Sequence, residues 1–375
     1  MVGVYEGLTV PFLGVVARQL GATVWQIALL TSIPLFGHTL SLFWASRQVH
    51  FSSPVTYVTF ATAATRVLFL AMAWVTGPAA FVACACLAQF LVPVHSPAYT
   101  EVMRQIYPEE IRGKAMGSVR MVSSVSTMLA ASLGGKLLDI VGFRVVFPIA
   151  ALAGVSASWI FSQIPYPVKS KSDDQSLPIS RWNPLHLSKL LKADPVLKRF
   201  ESGFFLYGFG NLMAIPMIPL LLVDHFQANN FFVGQLAFVS AASRLGFLYF
   251  WGHRIDHRGA FRVICEVLFL MMLPPLCYGI ARSRWILFLA SAIAGCAFAG
   301  LDLAVIGAMI ALAKKHNPST MMAIHQTLLG FRGVMAPLVG TLLLRVLDLR
   351  LVFLLDAVLI LAGATLVARS RVYFQ

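Results

Sequence analysis

The sequence predicts an all-α polytopic membrane protein built as two six-helix halves. Apolar runs of about 20 residues recur from end to end, one long polar stretch interrupts them midway, and the two flanks of that stretch repeat each other at a fixed offset. Of 375 residues, 58% are hydrophobic and 12% charged, with a mean hydropathy of +0.79. That is more apolar side chain than a water-soluble core hides, so the solvent is lipid. A helix rising about 1.5 Å per residue needs roughly 20 residues to cross a hydrocarbon layer of about 30 Å.

The spans follow in order from the charged breaks between apolar runs. Arg18 closes 1–20 and Arg47 closes 25–45. The runs 55–75 and 79–103 lead to Arg104, Arg112 and Lys114, where 113–137 begins, and Lys136 and Arg144 divide that run from 145–164. The stretch from Pro165 to Arg199, rich in Ser, Lys, Asp and Pro, reads as a linker. Beyond it, 200–223 and 231–251 lead to Arg254, Arg258 and Arg262. The run 261–281 ends at Arg282 and Arg284, 285–312 at Lys314 and Lys315, 321–344 at Arg345 and Arg350, and 351–367 at Arg369 and Arg371. The expected organisation is one half over 1–164, a linker over 165–199 and a second half over 200–375.

Eighteen of the 29 Lys and Arg residues fall on the side that holds the linker and the C-terminus, seven on the other side and four within spans. The positive-inside rule therefore puts the linker and C-terminus in the cytoplasm, with the plasma (inner) membrane as the expected location. The formal charge of +14 sits in short loops rather than on a soluble basic face, so lipids and not nucleic acid are the expected partners. Cys84, Cys86, Cys265, Cys277 and Cys296 all lie inside apolar runs and read as small buried groups.

Sliding the first half by 206 positions aligns Gly134 with Gly340, Arg144 with Arg350 and Phe147 with Phe353, and Leu137, Leu138 and Val146 with Leu343, Leu344 and Val352. The same register sets Tyr5 opposite Asn211. Span 7 starts about ten residues before Asn211, and only four residues precede Tyr5, so span 1 is expected to lack its first two or three turns.

Three junctions carry patterned residues. Between spans 8 and 9 stands Gly252-His-Arg-Ile-Asp256-His-Arg-Gly259-Ala-Phe-Arg262; after span 4, Pro108-Glu-Glu-Ile-Arg112-Gly113-Lys-Ala-Met-Gly117; and between spans 5 and 6, Gly135-x-x-x-Asp139-x-x-Gly142-Phe143-Arg144. Glycine permits tight turns and close helix approach, and an acid favours a helix N-terminus. In this order and at these junctions, the motifs resemble those of the major facilitator superfamily, over the whole chain. The first-half copy of the loop signature reads Ser46, His50 and Ser53 and lacks the acid. The resemblance implies a secondary active or facilitative transporter of a small solute, working by alternating access between two six-helix halves as a monomer. It also implies that span 2 faces span 11, that span 5 faces span 8, and that Gly252, Asp256, Gly259 and Arg262 help hold the cytoplasmic side shut.

Charges at membrane depth are costly and mark cavities or partners. They are Glu6, Arg66, Arg120, Arg244, Asp302, Arg332 and Asp356, with His38, His95 and His325 as titratable additions. His38, Arg120, Arg244 and Gln326 each lie roughly 10 Å in from the cytoplasmic ends of their spans, so they are expected to form one polar layer, with His325 beside it. Arg120 and Arg244 would need Asp302 or an anionic group of the solute. Asn211 and Arg332 complete the solute-path candidates, and Glu6 and Asp302 are the candidates for coupling to H+. Arg66 and Asp356 fall in spans 3 and 12, peripheral in the resembled fold, where structural pairing is the expected role.

No metal site or cofactor is expected, because the histidines lie far apart without a Cys or acid cluster at ligand spacing. A nucleotide-binding loop G-x-x-x-x-G-K-[ST] is also missing. No enzymatic constellation of paired carboxylates, H-E-x-x-H or nucleophile and base is found. The alternative reading is a non-transporting sensor or scaffold on the same fold. Charge composition leans slightly toward a polar or anionic solute.

Overall fold

The computed structural model describes residues 1–40, 43, 44, 47, 51, 53–166, 195–312 and 318–370. The linker core, Ser46 and His50 of the first-half loop, and Lys314 and Lys315 lie outside the described residues. Every regular element among those described is helical, and ten helices are long and apolar enough to cross a membrane.

In chain order, α1 comprises Val2–Thr9 and Leu13–Gln19 around a 3₁₀ turn, Val10–Phe12; α2 is Val24–Thr39 and α3 Pro54–Leu70. Next come α4, Pro78–Leu91 continuing through Val92–His95 into Ser96–Ile106, α5, Glu109–Val141, and α6, Phe143–Ser162. The second half holds α7, Pro195–Ala214 with Met217–Leu220 and Leu221–His225; α8, Asn230–Arg258; and α9, Ala260–Leu270 with Leu273–Ile280. It closes with α10, Arg284–Leu312, α11, Pro318–Leu343, and α12, Leu349–Ser370. The two that fall short of spanning length are α1, interrupted near Pro11, and α2, 16 residues long. Proline has no N–H for the helical ladder, and Pro11 and Pro93 sit in the 3₁₀ turns that interrupt α1 and α4, whereas Pro34, Pro148 and Pro337 lie inside α2, α6 and α11.

Local chemistry sets the helix starts. Thr23 and Gln26 form a reciprocal capping box on α2, Ser53 caps α3 ahead of Pro54, and Asn229 caps α8. The junctions α5/α6 and α8/α9 each turn on one glycine in the left-handed region, Gly142 at φ 76° and Gly259 at φ 78°.

The repeat is visible in the packing. Arg144 Nε donates to the Val75 carbonyl at 2.9 Å and Arg350 Nη2 to the Ala281 carbonyl at 3.5 Å, with donors and acceptors both 206 apart. Phe147 and Phe353 are both fully buried. Helix α1 packs on α5 and α6 as α7 packs on α11 and α12, while α2 meets α11 and α5 meets α8 across the halves.

Candidate functional site

The two halves are fastened at the end remote from the C-terminus, here the far end. Arg18 Nε lies 2.9 and 3.1 Å from the Asp224 carboxylate oxygens, and Nη2 lies 2.7 Å from Oδ2. These residues are 206 apart, so they occupy the same position in each half. Two equivalent positions touch only on the axis that relates them, so the pair sits on the pseudo-two-fold axis. Beside it, Asp139 at the end of α5 accepts from the Asn230 and Phe231 backbone N–H groups and from Asn230 Nδ2, all at 2.9 Å, capping the start of α8 across the seam. The Arg345 guanidinium lies over the Trp25 ring at 5.6 Å.

A cavity of about 400 Å³ lies between the halves, walled by α1, α2 and α4 from one and by α7, α8, α9 and α10 from the other. Its polar groups are Thr31, Gln89, Ser240, Tyr278 and Ser291; no formally charged side chain among the described residues lines it. Apolar residues such as Leu30, Pro34, Ile218 and Leu236 make up the rest. Because α1 and α7 are both interrupted at this level, the cavity meets irregular backbone on two sides.

The charges named from the sequence lie elsewhere. Arg244 pairs with Asp302, with side chains 53% and 45% exposed. Arg120, His38 and Gln326 are also exposed. Helices α5 and α8 both extend beyond their apolar runs at the end that carries the C-terminus. The antiparallel register of α5 and α8, with Gly135 against Asn230 and Ala131 against Gly234, sets Arg120 and Arg244 at about the same level. Arg120 borders a second cavity of about 400 Å³ inside the first half, together with Arg66, His95, Tyr99 and Ser123.

His325 and Arg332 point into the second half. His325 Nδ1 lies 3.3 Å from Glu201 Oε2 and 3.4 Å from Oε1, with both side chains buried. Arg332 donates to the Phe204 carbonyl and stands 5.1 Å over its ring; Gly208 leaves room for the guanidinium. Asn211 is half-buried on α7, one turn before the cavity-lining Ile215. Glu6 is exposed on α1. Arg66 is buried, donates to the Thr62 carbonyl at 2.6 Å and lies 5.2 Å over the Tyr5 ring. Asp356 is fully buried, and its carboxylate oxygens lack a hydrogen-bond partner among the described residues.

In the loop signature, Gly259 makes the turn, Asp256 and Arg262 are exposed, and a Cβ at Gly252 would meet open space, as at Gly117. Among the described residues, none closely approaches Gly252 or Gly117. Arg254 is held by Glu266 at 2.5 Å, with Arg258 at 3.5 Å. Glu201 and Glu266 both lie inside apolar runs, where their charge alone marks them; the inventory of charges expected at depth omits them. Neutral Gln89 and Ser240 carry no such mark.

The family model described as Major Facilitator Superfamily matches residues 1–200 and again 200–373. No curated protein sequence matches. Among solved structures, the nucleoside transporter NupG superposes with a TM-score of 0.70 at 14% identity, covering 98% of this chain and 96% of that one. A bacterial homologue of the human lysosomal transporter Spinster, inward-facing and occupied, gives 0.67 at 13% identity over 98% and 94%.

Proposed function

The chain belongs to the Major Facilitator Superfamily, and on that premise we propose that it carries a small, uncharged polar solute through the cavity between its halves. The observation that carries this reading is the cavity wall: hydroxyl, phenol and amide groups in an apolar frame, without a formal charge. A neutral solute with its own hydroxyl or amide groups satisfies such a wall, whereas an anion would be desolvated without compensation. The sequence-level lean toward a polar or anionic solute narrows to its polar branch, the class to which the nucleosides carried by NupG belong.

The ion pair on the axis closes the far end, and the basic end, with the C-terminus, faces the cytoplasm in accordance with the charge distribution. Arg120, His38, Gln326 and the Arg244–Asp302 pair then border the cytoplasmic approach, where Asp302 is already neutralised by Arg244. The halves over 1–164 and 200–375 rock about the cavity, and the chain works as a monomer in the plasma membrane, with H+ as the candidate coupling ion.

Uptake into proteoliposomes from a panel of nucleosides, sugars, dicarboxylates and phosphate esters, with and without a proton gradient, tests the reading. Uptake of a neutral solute whose KM rises severalfold in Gln89→Ala and Ser240→Ala is expected. Uptake confined to anions, or no uptake of any class, overturns it; the latter outcome favours the sensor or scaffold.

A further inference from the structure

Glu201 and His325 form a buried pair that the solute cavity does not use. The Glu201 side chain is 3% exposed and that of His325 6%, in a bundle whose surroundings are lipid. Both carboxylate oxygens stand at nearly equal distance from Nδ1. The Phe204 ring is wedged between the imidazole, 4.7 Å from it, and the Arg332 guanidinium, 5.1 Å from it. The cluster thus joins α7 to α11 over two turns. Both helices also reach the space between the halves, since α7 lines the solute cavity with Ile215, Ile218 and Leu222 and α11 forms the seam with α2.

Around Glu201, helix α11 presents His325 and Arg332, and α7 itself carries Tyr207 above and exposed Lys198 and Arg199 below. Helix α12 offers apolar Leu366 and Val367 around Gly203, and α9 offers Phe261 against Phe200. Asp302 of α10 acts on Tyr207 from a distance and is engaged by Arg244. Glu201 and Arg332 are of opposite formal charge, and His325 Nδ1 lies within 3.4 Å of both Glu201 carboxylate oxygens, so a proton shared there makes an imidazolium–carboxylate contact.

We propose that the Glu201–His325 pair is a proton-binding site whose occupancy is tied to the packing of α7 against α11. It rests on the transporter reading, and it places the coupling proton away from both sequence candidates, Glu6 and Asp302. The pair lies about 10 Å in from the basic ends of α7 and α11, yet it is sealed in this conformation. A proton enters or leaves only when the two helices part, so proton occupancy and conformation are thermodynamically linked. The first half has no copy of the pair: the positions equivalent to His325 and Arg332 are Val119 and Ser126.

The test needs no solute, so its failure is distinct from failure of the transport reading. In nanodiscs, with the five cysteines replaced by alanine and a bimane fluorophore attached at Ser240→Cys as reporter in the cavity wall, its collisional quenching by a neutral water-soluble nitroxide, a readout that does not depend on thiol ionisation, is followed from pH 5 to 9. The expected result is a sigmoidal change of roughly fivefold or more that vanishes in Glu201→Gln and His325→Asn and persists with a displaced midpoint in Glu201→Asp. An unaltered profile in well-folded Glu201→Gln overturns the proposal. Should the substituted chains fail to fold, the parent profile decides, and a flat response from pH 5 to 9 overturns it equally.

Discussion

Replacing Arg18 by alanine removes the contact on the pseudo-two-fold axis and should favour opening at the far end. Three N–O contacts of 2.7 to 3.1 Å are lost, and both side chains are about a third exposed, at 27% and 36%. A solvent-exposed ion pair contributes about 0.2–1 kcal/mol, and forked geometry puts this one at the upper end. About 1 kcal/mol corresponds to roughly a fivefold shift between the conformation closed at the far end and one open there. The assay is alkylation of Ile218→Cys, inside the cavity, by a membrane-impermeant maleimide applied from the far side. The rate should rise about fivefold in Arg18→Ala. Because the two positions are equivalent in the two halves, the exchange Arg18→Asp with Asp224→Arg should return the rate to its starting value. An unchanged rate in Arg18→Ala would refute the gate. Failure of the exchange to restore it would refute the placement on the axis.

Asp139→Ala leaves the first N–H groups of α8 uncapped across the seam and should cost about 1 kcal/mol, raising far-side alkylation in the same direction as Arg18→Ala; a double-mutant cycle measures their coupling. Gly208→Ala puts a methyl group into the Arg332 guanidinium and should lower thermal stability by about 1–3 kcal/mol, read as a fall in Tm by fluorescence-detected size exclusion. Gly259→Ala forces a side chain into a left-handed turn, at a cost of about 1–2 kcal/mol, and should lower Tm, whereas Gly252→Ala, which faces open space, should leave Tm within a degree.

Much of the fold can be read along the chain because its determinants are local. Apolar length predicts the spans, and the 206-residue register anticipates that Arg144 and Arg350 play the same part at the same place. Span length is less legible: α5 and α8 run on past their apolar runs, since helices do not stop where hydropathy does. The site is harder to read, because a charge stands out among apolar residues while a serine or glutamine does not. The polar groups of the cavity wall therefore escape notice, and conspicuous Arg332 and His325 turn inward to Phe204 and Glu201. Which face of a helix meets which neighbour is decided by tertiary packing that span spacing does not encode.

The equivalence of the halves bears on stereochemistry. Leu30 and Leu236, Thr31 and Ala237, and Pro34 and Ser240 are pairs at matching positions, and all six line the cavity. Of these pairs only Leu30 and Leu236 carry the same side chain; a wall fully duplicated about an axis would accept a ligand in two orientations related by half a turn. Mismatched positions break that degeneracy, and among the polar wall groups every one is mismatched: Thr31 has Ala237 as its counterpart, Ser240 has Pro34, Gln89 has Gly295, Tyr278 has Met72 and Ser291 has Ala85. The side chains that set which way round a solute sits are therefore these unpaired polar groups, and telling a chiral solute from its mirror image is expected to fall mainly to them.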